Sequence, residues 1–370
     1  MTRTVEDIVK VVPNSLKVVL AALAALSVLL GVGSLFSTLR ARRLDRQRRD
    51  LLQEVGLLQS ALLPPVPTTV GALRTSVAYR PAEGPGAGGD FYDALALPGG
   101  RAAFVLGDVS GHGRGALERT AFLRYTLRAY LEAGLEPRLA LQVAGRVIDE
   151  HLGGDFATVL LAVHDPASGS LKYASAGHPA PIVVGPSAYE PVLMASSPPV
   201  GIGMRTGLRQ TAVPLAAGSV ACLYTDGLTE ARTEKGILGR GRLADIVAEL
   251  GRDVEARELL ERVAEEARLV SDDMACCLLS PTAGVTAGGF RAEVIELSAT
   301  ELAGPLGRRF LEGCGVGGDE ARRALAEAGA LTSRFDHVTL HVVFGNRLTV
   351  EVLPGNVESI QAVARRGVAG

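Results

Sequence analysis

The residues with the most chemistry to offer are aspartates placed at the ends of apolar runs. Gly88-Gly89-Asp90-Phe91-Tyr92-Asp93 follows a Gly/Pro-rich stretch. Phe104-Val105-Leu106-Gly107-Asp108-Val109-Ser110-Gly111-His112-Gly113 carries an apolar segment into an aspartate and then a glycine turn. Cys222-Leu223-Tyr224-Thr225-Asp226-Gly227 repeats the arrangement, and Ser271-Asp272-Asp273-Met274 sets two carboxylates just before a strand-like run. Carboxylates beside glycines, where backbone can approach closely, suit hard cations such as Mg²⁺ and Mn²⁺, which take oxygen ligands and keep several waters. The same acids gathered without a cation would repel one another and suffer desolvation. Each segment alone also reads as a turn, because Asp-Gly and strand-end aspartates are common there. GDVSGHG resembles a phosphate-cradling loop only superficially, since it lacks the lysine of a P-loop and the spacing of a dinucleotide fingerprint.

These acids need strands to hold them, and the chain supplies short apolar runs broken by Gly and Pro from about Val66 to Ser280. Strands are expected at Ser76–Arg80, Arg101–Leu106, Phe156–His164, Leu171–Ser175, Val220–Thr225 and Met274–Leu279. Helices are expected at Gly115–Ala133, Pro137–Leu152, Arg240–Leu250 and Ala256–Leu269. Hairpin-like strands with paired helices imply a layered α+β domain.

The ordered set LQSALLP, YRPAEGPGAGGDFYD, LGDVSGHG, FATVLLAVHD, YASAGHPAP, PPVGIG, LYTDGLTEA and DDMACCLL resembles the SpoIIE-like branch of the metal-dependent protein phosphatases, the PPM family related to protein phosphatase 2C. The resemblance runs over residues 58–280, with the phosphatase domain itself set at 66–281. It implies an α-β-β-α sandwich with two divalent cations, Mn²⁺ or Mg²⁺, at one edge of the sheets. It further implies that Asp108 bridges the two ions, that the Val109 carbonyl joins one of them, and that Asp226 and Asp272 hold the other. Asp90 is implied on the first ion's side, directly or through water. Asp93 and Asp273 are expected to be mainly structural, His112 to pack its loop and His178 to shape a turn. Arg80 is a candidate for orienting a substrate phosphate.

Upstream, Val18–Phe36 is apolar or small throughout and is followed by Arg40, Arg42, Arg43, Arg46, Arg48 and Arg49. About 20 such residues span a bilayer as a helix, and a basic flank stays cytoplasmic. The expectation is a single-pass cell-membrane anchor at 18–38, with residues 1–17 outside and the catalytic domain inside. A cleaved signal peptide and a buried core helix are the competing readings. Leu44, Leu51 and Leu58 recur every seventh residue, with Val55 and Leu62 between, so 39–63 reads as a linker helix. It either packs on its own domain or forms a parallel homodimer stalk.

Downstream of Pro281-Thr282-Ala283-Gly284, residues 288–370 read as a small α+β domain with strands at Ala292–Leu297, His337–Phe344 and Arg347–Leu353. The order resembles the ATPase fold of anti-sigma-factor kinases, through GPLGRRFLEGCGV and the helix around Glu327. Leu331 stands where that family's magnesium-binding asparagine would follow Glu327, and no DxGxG loop occurs near Leu353-Pro354-Gly355. A degenerate, partner-binding or dimerising module is therefore expected.

Composition bounds the rest. A length of 370 residues suggests two or three folded units. The formal net charge of −2 gives no global attraction to nucleic acid. Cys222, Cys276, Cys277 and Cys314 show no zinc-type spacing and read as buried thiols, with the adjacent Cys276 and Cys277 on opposite faces of a strand. The expected function is hydrolysis of phosphoserine or phosphothreonine on a signalling protein, by resemblance an anti-sigma-factor antagonist. The alternative is a catalytically inactive, membrane-anchored pseudophosphatase scaffold, which loss of the metal aspartates would favour.

Overall fold

A computed structural model describes residues 13, 18–19, 22–23, 25–44, 63–81, 89–111, 114–192, 197–234, 236–270, 272–282 and 290–355. The chain divides into two compact units, Met1–Leu57 and Leu58–Gly370. In the first, residues 25–44 are helical, and Val28, Leu29, Leu30, Val32, Leu35 and Phe36 are exposed. Among the described residues no helix is long and apolar enough to cross a membrane. The expected span 18–38 includes residues 20, 21 and 24, which lie outside the described residues. The expected linker helix falls largely on residues 45–62, and these too lie outside them.

In the second unit two sheets stack. Strands β1 (Thr69–Val70), β2 (Leu73–Arg80), β7 (Ile182–Val184), β9 (Val220–Tyr224) and β12 (Met274–Pro281) form one, in the order β1-β2-β12-β9-β7. The other is formed by β3 (Asp90–Ala96), β4 (Ala102–Val109), β5 (Ala157–Asp165), β6 (Ser170–Ala176), β8 (Arg209–Pro214), β13 (Arg291–Ser298), β14 (His337–Phe344) and β15 (Leu348–Pro354). Its order is β15-β14-β13-β8-β6-β5-β4-β3. A small ribbon, β10 (Arg232–Thr233) with β11 (Gly236–Ile237), follows the short helix α3 (Asp226–Glu230).

Side-chain alternation builds the layers. Phe104, Leu106, Leu160, Leu223, Ala275 and Leu279 interlock between the sheets. On the outer face of the larger sheet, Phe91, Val105 and Leu161 meet Leu123 and Leu127 of α1 (Arg114–Glu132) and Leu141 and Ile148 of α2 (Pro137–His151). On the outer face of the smaller, Tyr224 and Cys276 meet Ile246 of α4 (Gly239–Leu250) and Leu259 and Val263 of α5 (Ala256–Glu266). The result is the α-β-β-α sandwich that the motifs imply. Strands buried on both faces read as continuous apolar runs, which is why β5 and β12 are legible without alternation. Cys276 points to the helix layer and Cys277 between the sheets, and all four cysteines are free and buried.

The C-terminal strands extend the larger sheet, because β13 pairs antiparallel with β8 from Ala292↔Ala212 to Ile295↔Arg209. Helices α6 (Ala299–Ala303), α7 (Leu306–Gly313) and α8 (Gly318–Leu331) accompany these strands. They enclose Ile295, Leu297, Phe310, Leu311, Ala328, Val338 and Leu340. Ser298 starts α6 with a capping box: its hydroxyl accepts from the Glu301 N–H while Glu301 accepts from the Ser298 N–H. On α8, Glu327 is exposed and Leu331 packs against this C-terminal core. Buried ion pairs join the segment to the rest, Arg209 to Glu293 at 2.7 Å and Arg138 to Glu296 at 2.9 Å, and the half-buried Arg205 adds a contact to Glu296 at 2.8 Å.

Candidate metal centre

The aspartates converge because strand register and two glycines force the backbone together. Asp90 on β3 lies directly opposite Asp108 on β4, so both side chains share the face between the sheets. Gly89 accepts from the Val109 N–H at 3.1 Å. A Cβ at residue 89 would overlap the Val109 carbonyl oxygen and Asp108 Oδ1, so no side chain fits. From the other sheet, β9 ends at Tyr224 and delivers Asp226 as the first residue of α3. A Cβ at Gly227 would overlap the Asp273 carbonyl oxygen, so glycine lets α3 abut the segment carrying Asp272 and Asp273.

Thr225 ties the two sheets at this point. Its hydroxyl donates to Asp90 Oδ2 at 2.8 Å and accepts from the Ala275 N–H at 2.9 Å. Nearby, His178 bridges Thr158 Oγ1, 2.9 Å from Nδ1, and the Tyr224 carbonyl, 3.0 Å from Nε2. Since a carbonyl only accepts, Nε2 carries the proton and Nδ1 accepts from the threonine hydroxyl. Burial pushes the His178 imidazole down to about 4, which keeps the ring neutral.

Electrostatics mark the acids as one group. Burial, then the charges of Asp226, Asp272 and Asp273, push the Asp108 carboxyl from its ordinary 3.8 up to about 7. Burial and the charge of Asp108 hold Asp90 well above the usual carboxylate range, and the Thr225 hydroxyl only partly offsets them. Asp226 is raised by burial, Asp272 and Glu230. Asp90 is buried, Asp108 and Asp226 are half-buried, and Asp272 is exposed, so the group grades from floor to rim.

Among the described residues, no three His, Cys, Asp or Glu side chains form a ready-made ion-binding group. The donor set nevertheless fits a hard cation. Mg²⁺ keeps several waters and needs one or two protein carboxylates rather than a full cage. The mutual repulsion of these acids is what a cation would relieve.

The remaining sequence candidates separate cleanly. Asp93 faces the helix layer, where it pairs with Arg128 at 3.2 Å and Arg124 at 3.7 Å. Asp273 is buried and accepts from the Tyr79 hydroxyl at 2.5 Å. Both roles are structural. Arg80 is exposed and lies opposite Met274 at the same strand ends. It lines a cavity of about 460 Å³ with Tyr79, Tyr92 and Arg257. His112 lies outside the described residues. Sequence reading missed Thr225, Tyr79 and the Thr158–His178 pair, because their roles depend on partners far away along the chain. The single available signal for Thr225 was its place directly before Asp226.

Residues 98–281 match the family described as Stage II sporulation protein E (SpoIIE). The phosphoserine phosphatase RsbU of Bacillus subtilis (strain 168) is 28% identical over 149 residues, covering 39% of this chain and 44% of RsbU. Protein IcfG of Synechocystis sp. is 27% identical over 186 residues, covering 42% of this chain and 29% of IcfG. The chain thus spans less than half the length of these curated relatives. Among solved structures, the RsbU and RsbW domains of Rv1364c from Mycobacterium tuberculosis are 25% identical with a TM-score of 0.50, covering 74% of this chain and 84% of that one. The SiaA-PP2C domain of Pseudomonas aeruginosa gives a TM-score of 0.55 at 23% identity over 64% of this chain and 98% of that one, a likeness of fold. Residues 98–281 thus form a domain of the SpoIIE family, similar in sequence to the phosphoserine phosphatase RsbU and in fold to the protein phosphatase 2C type.

Proposed function

We propose that the chain is a metal-dependent protein serine/threonine phosphatase acting on a phosphorylated signalling protein. The observation that carries this reading is the direct opposition of Asp90 and Asp108, with Asp226 and Asp272 close enough to raise the Asp108 carboxyl. In it, Asp108, the Val109 carbonyl, Asp90, Asp226 and Asp272 are the groups that would hold two divalent cations. Two bound cations, Mn²⁺ or Mg²⁺, would supply an acidified water and neutralise phosphate oxygens. The chain's own part is positioning. Thr225 fixes the rotamer of Asp90, Gly89 keeps the Val109 carbonyl within reach, and Arg80 at the rim orients the phosphate. A cysteine nucleophile does not fit, since burial pushes the Cys222 and Cys314 thiols up to about 12 and raises those of Cys276 and Cys277 as well. The inactive-scaffold alternative is disfavoured because Asp90, Asp108, Asp226 and Asp272 are all present.

The test is release of phosphate from phosphoserine proteins by the 370-residue chain with Mn²⁺ or Mg²⁺. Turnover is expected with metal and is expected to fall at least a hundredfold (about 2.7 kcal/mol or more) in Asp226→Ala. Full activity in that variant would defeat the reading. An anti-sigma-factor antagonist is the substrate class to try first.

The same proposal places the chain at the cell membrane through residues 18–38, with the catalytic domain cytoplasmic, and pairs two copies through 39–63. The exposed apolar side chains of helix 25–44 support a lipid surrounding, and Arg40, Arg42 and Arg43 fit a cytoplasmic flank. The chain should stay in the membrane pellet after alkaline carbonate washing and cross-link as a dimer there. Release into the supernatant would refute the anchor, and cross-linking only as a monomer would refute the pairing.

A further inference from the structure

Two polar ties join the sheets beside the acid cluster, and they differ in kind. Thr225 touches an acid directly, through Asp90 Oδ2. His178 bonds to none of the four acids but joins β5, the neighbour of Asp108's strand, to the end of β9, which leads into Asp226. Thr158 on β5 lies directly opposite Asp108 on β4, so the two side chains share a face. Tyr224, whose carbonyl takes the other side of the imidazole, ends β9 two residues before Asp226. The ring is buried, and each nitrogen has one partner on a different sheet. Its donor and acceptor capacity is therefore spent on holding the end of β9 at a fixed distance from the β4–β5 pair.

We propose that His178 is a positioning residue for the metal centre: a neutral imidazole strut, buttressed by Thr158, that sets the spacing between Asp108 on one sheet and Asp226 on the other. The strut works without contact to substrate or to the reacting atoms. It goes beyond a turn-shaping role, because a turn residue needs no partner on the opposite sheet. The proposal rests on the reading of Asp108 and Asp226 as ligands in the two-cation phosphatase.

Removing outer supports of a metal site typically weakens metal affinity about 10–100-fold. The experiment is calorimetric titration of Mn²⁺ into the full chain and into Thr158→Val, Thr158→Ser and His178→Ala, with circular dichroism checking the fold. Thr158→Val is nearly isosteric, so it keeps the proposal testable if His178→Ala fails to fold. The expected result is Mn²⁺ binding at least about tenfold weaker in Thr158→Val and His178→Ala. Thr158→Ser, which keeps the hydroxyl, should stay within about twofold of the parent. Phosphatase kcat should fall with little change in KM for the phosphoprotein. Parent-like Mn²⁺ affinity in a folded Thr158→Val variant, even with a lowered Tm, would overturn the strut and leave the phosphatase reading standing. Absence of Mn²⁺ binding by the parent would overturn both.

Discussion

Replacing Asp108 by asparagine is expected to abolish phosphatase turnover and yet stabilise the fold when chelator is present. In the fold without a cation, burial and three neighbouring acids push the Asp108 carboxyl up to about 7, against an ordinary 3.8. A raised acid resists ionisation in the folded state, so its charge destabilises the fold. That cost is present in full above about pH 7, shrinks as pH falls, is mostly gone by about pH 4, and vanishes below it once the carboxyl is protonated in both states. The size is on the order of a few kcal/mol. Asparagine removes the charge, so the Tm of Asp108→Asn in EDTA should exceed the parent's at pH 8 and converge with it near pH 4. Saturating Mn²⁺ should reverse the order at pH 8, since the parent gains more from binding. Thermal denaturation at the two pH values checks this. A parent more stable than the variant in EDTA at pH 8 would mean that burial and the neighbouring acids do not penalise the Asp108 charge.

The second large effect lies far from the acids. Glu293 is fully buried and pairs with Arg209 at 2.7 Å and Arg291 at 2.9 Å, while the Thr211 hydroxyl donates to it at 2.6 Å. Arg209 is itself buried beneath the Phe310 ring, 5.6 Å from its centroid. Glu293→Ala removes the carboxylate and leaves buried guanidinium charge behind, which costs about 3–5 kcal/mol. Replacing Glu293 by Leu and Arg209 by Met together should recover much of the loss, because a well-packed apolar pair is often as stable as a buried ion pair. Urea unfolding of the single and double variants measures this. A loss under about 1 kcal/mol in Glu293→Ala would show that the pair does not hold β13 onto β8.

What the sequence made legible follows from what can be local. β4, β5, β9 and β12 announce themselves as apolar runs, and α1, α2, α4 and α5 are visible within a few residues of their ends. β3 did not, because Asp90 and Asp93 make DFYDALA look like a turn until their partners are known. β8 was hidden for the same reason. Its RQTAVP reads as polar, yet Arg209 and Thr211 are buried because Glu293 reaches them from more than 80 residues away. The composition break after Pro281 suggested a domain boundary, whereas the sheet runs on from β8 to β13. That pairing depends on long-range register, which local composition does not encode. At the candidate metal centre the acids were visible by type and by their neighbouring glycines. The Thr158–His178–Tyr224 link was not, since its three members lie on three separate segments.

In the proposed phosphatase Asp90, Asp108, Asp226 and Asp272 jointly hold divalent cations. Diffraction from crystals grown with Mn²⁺, recorded at the manganese absorption edge, locates the metal directly. Anomalous peaks are predicted against Asp108, with Asp90 on one side and Asp226 and Asp272 on the other. Peaks elsewhere, or none at saturating Mn²⁺, would contradict it.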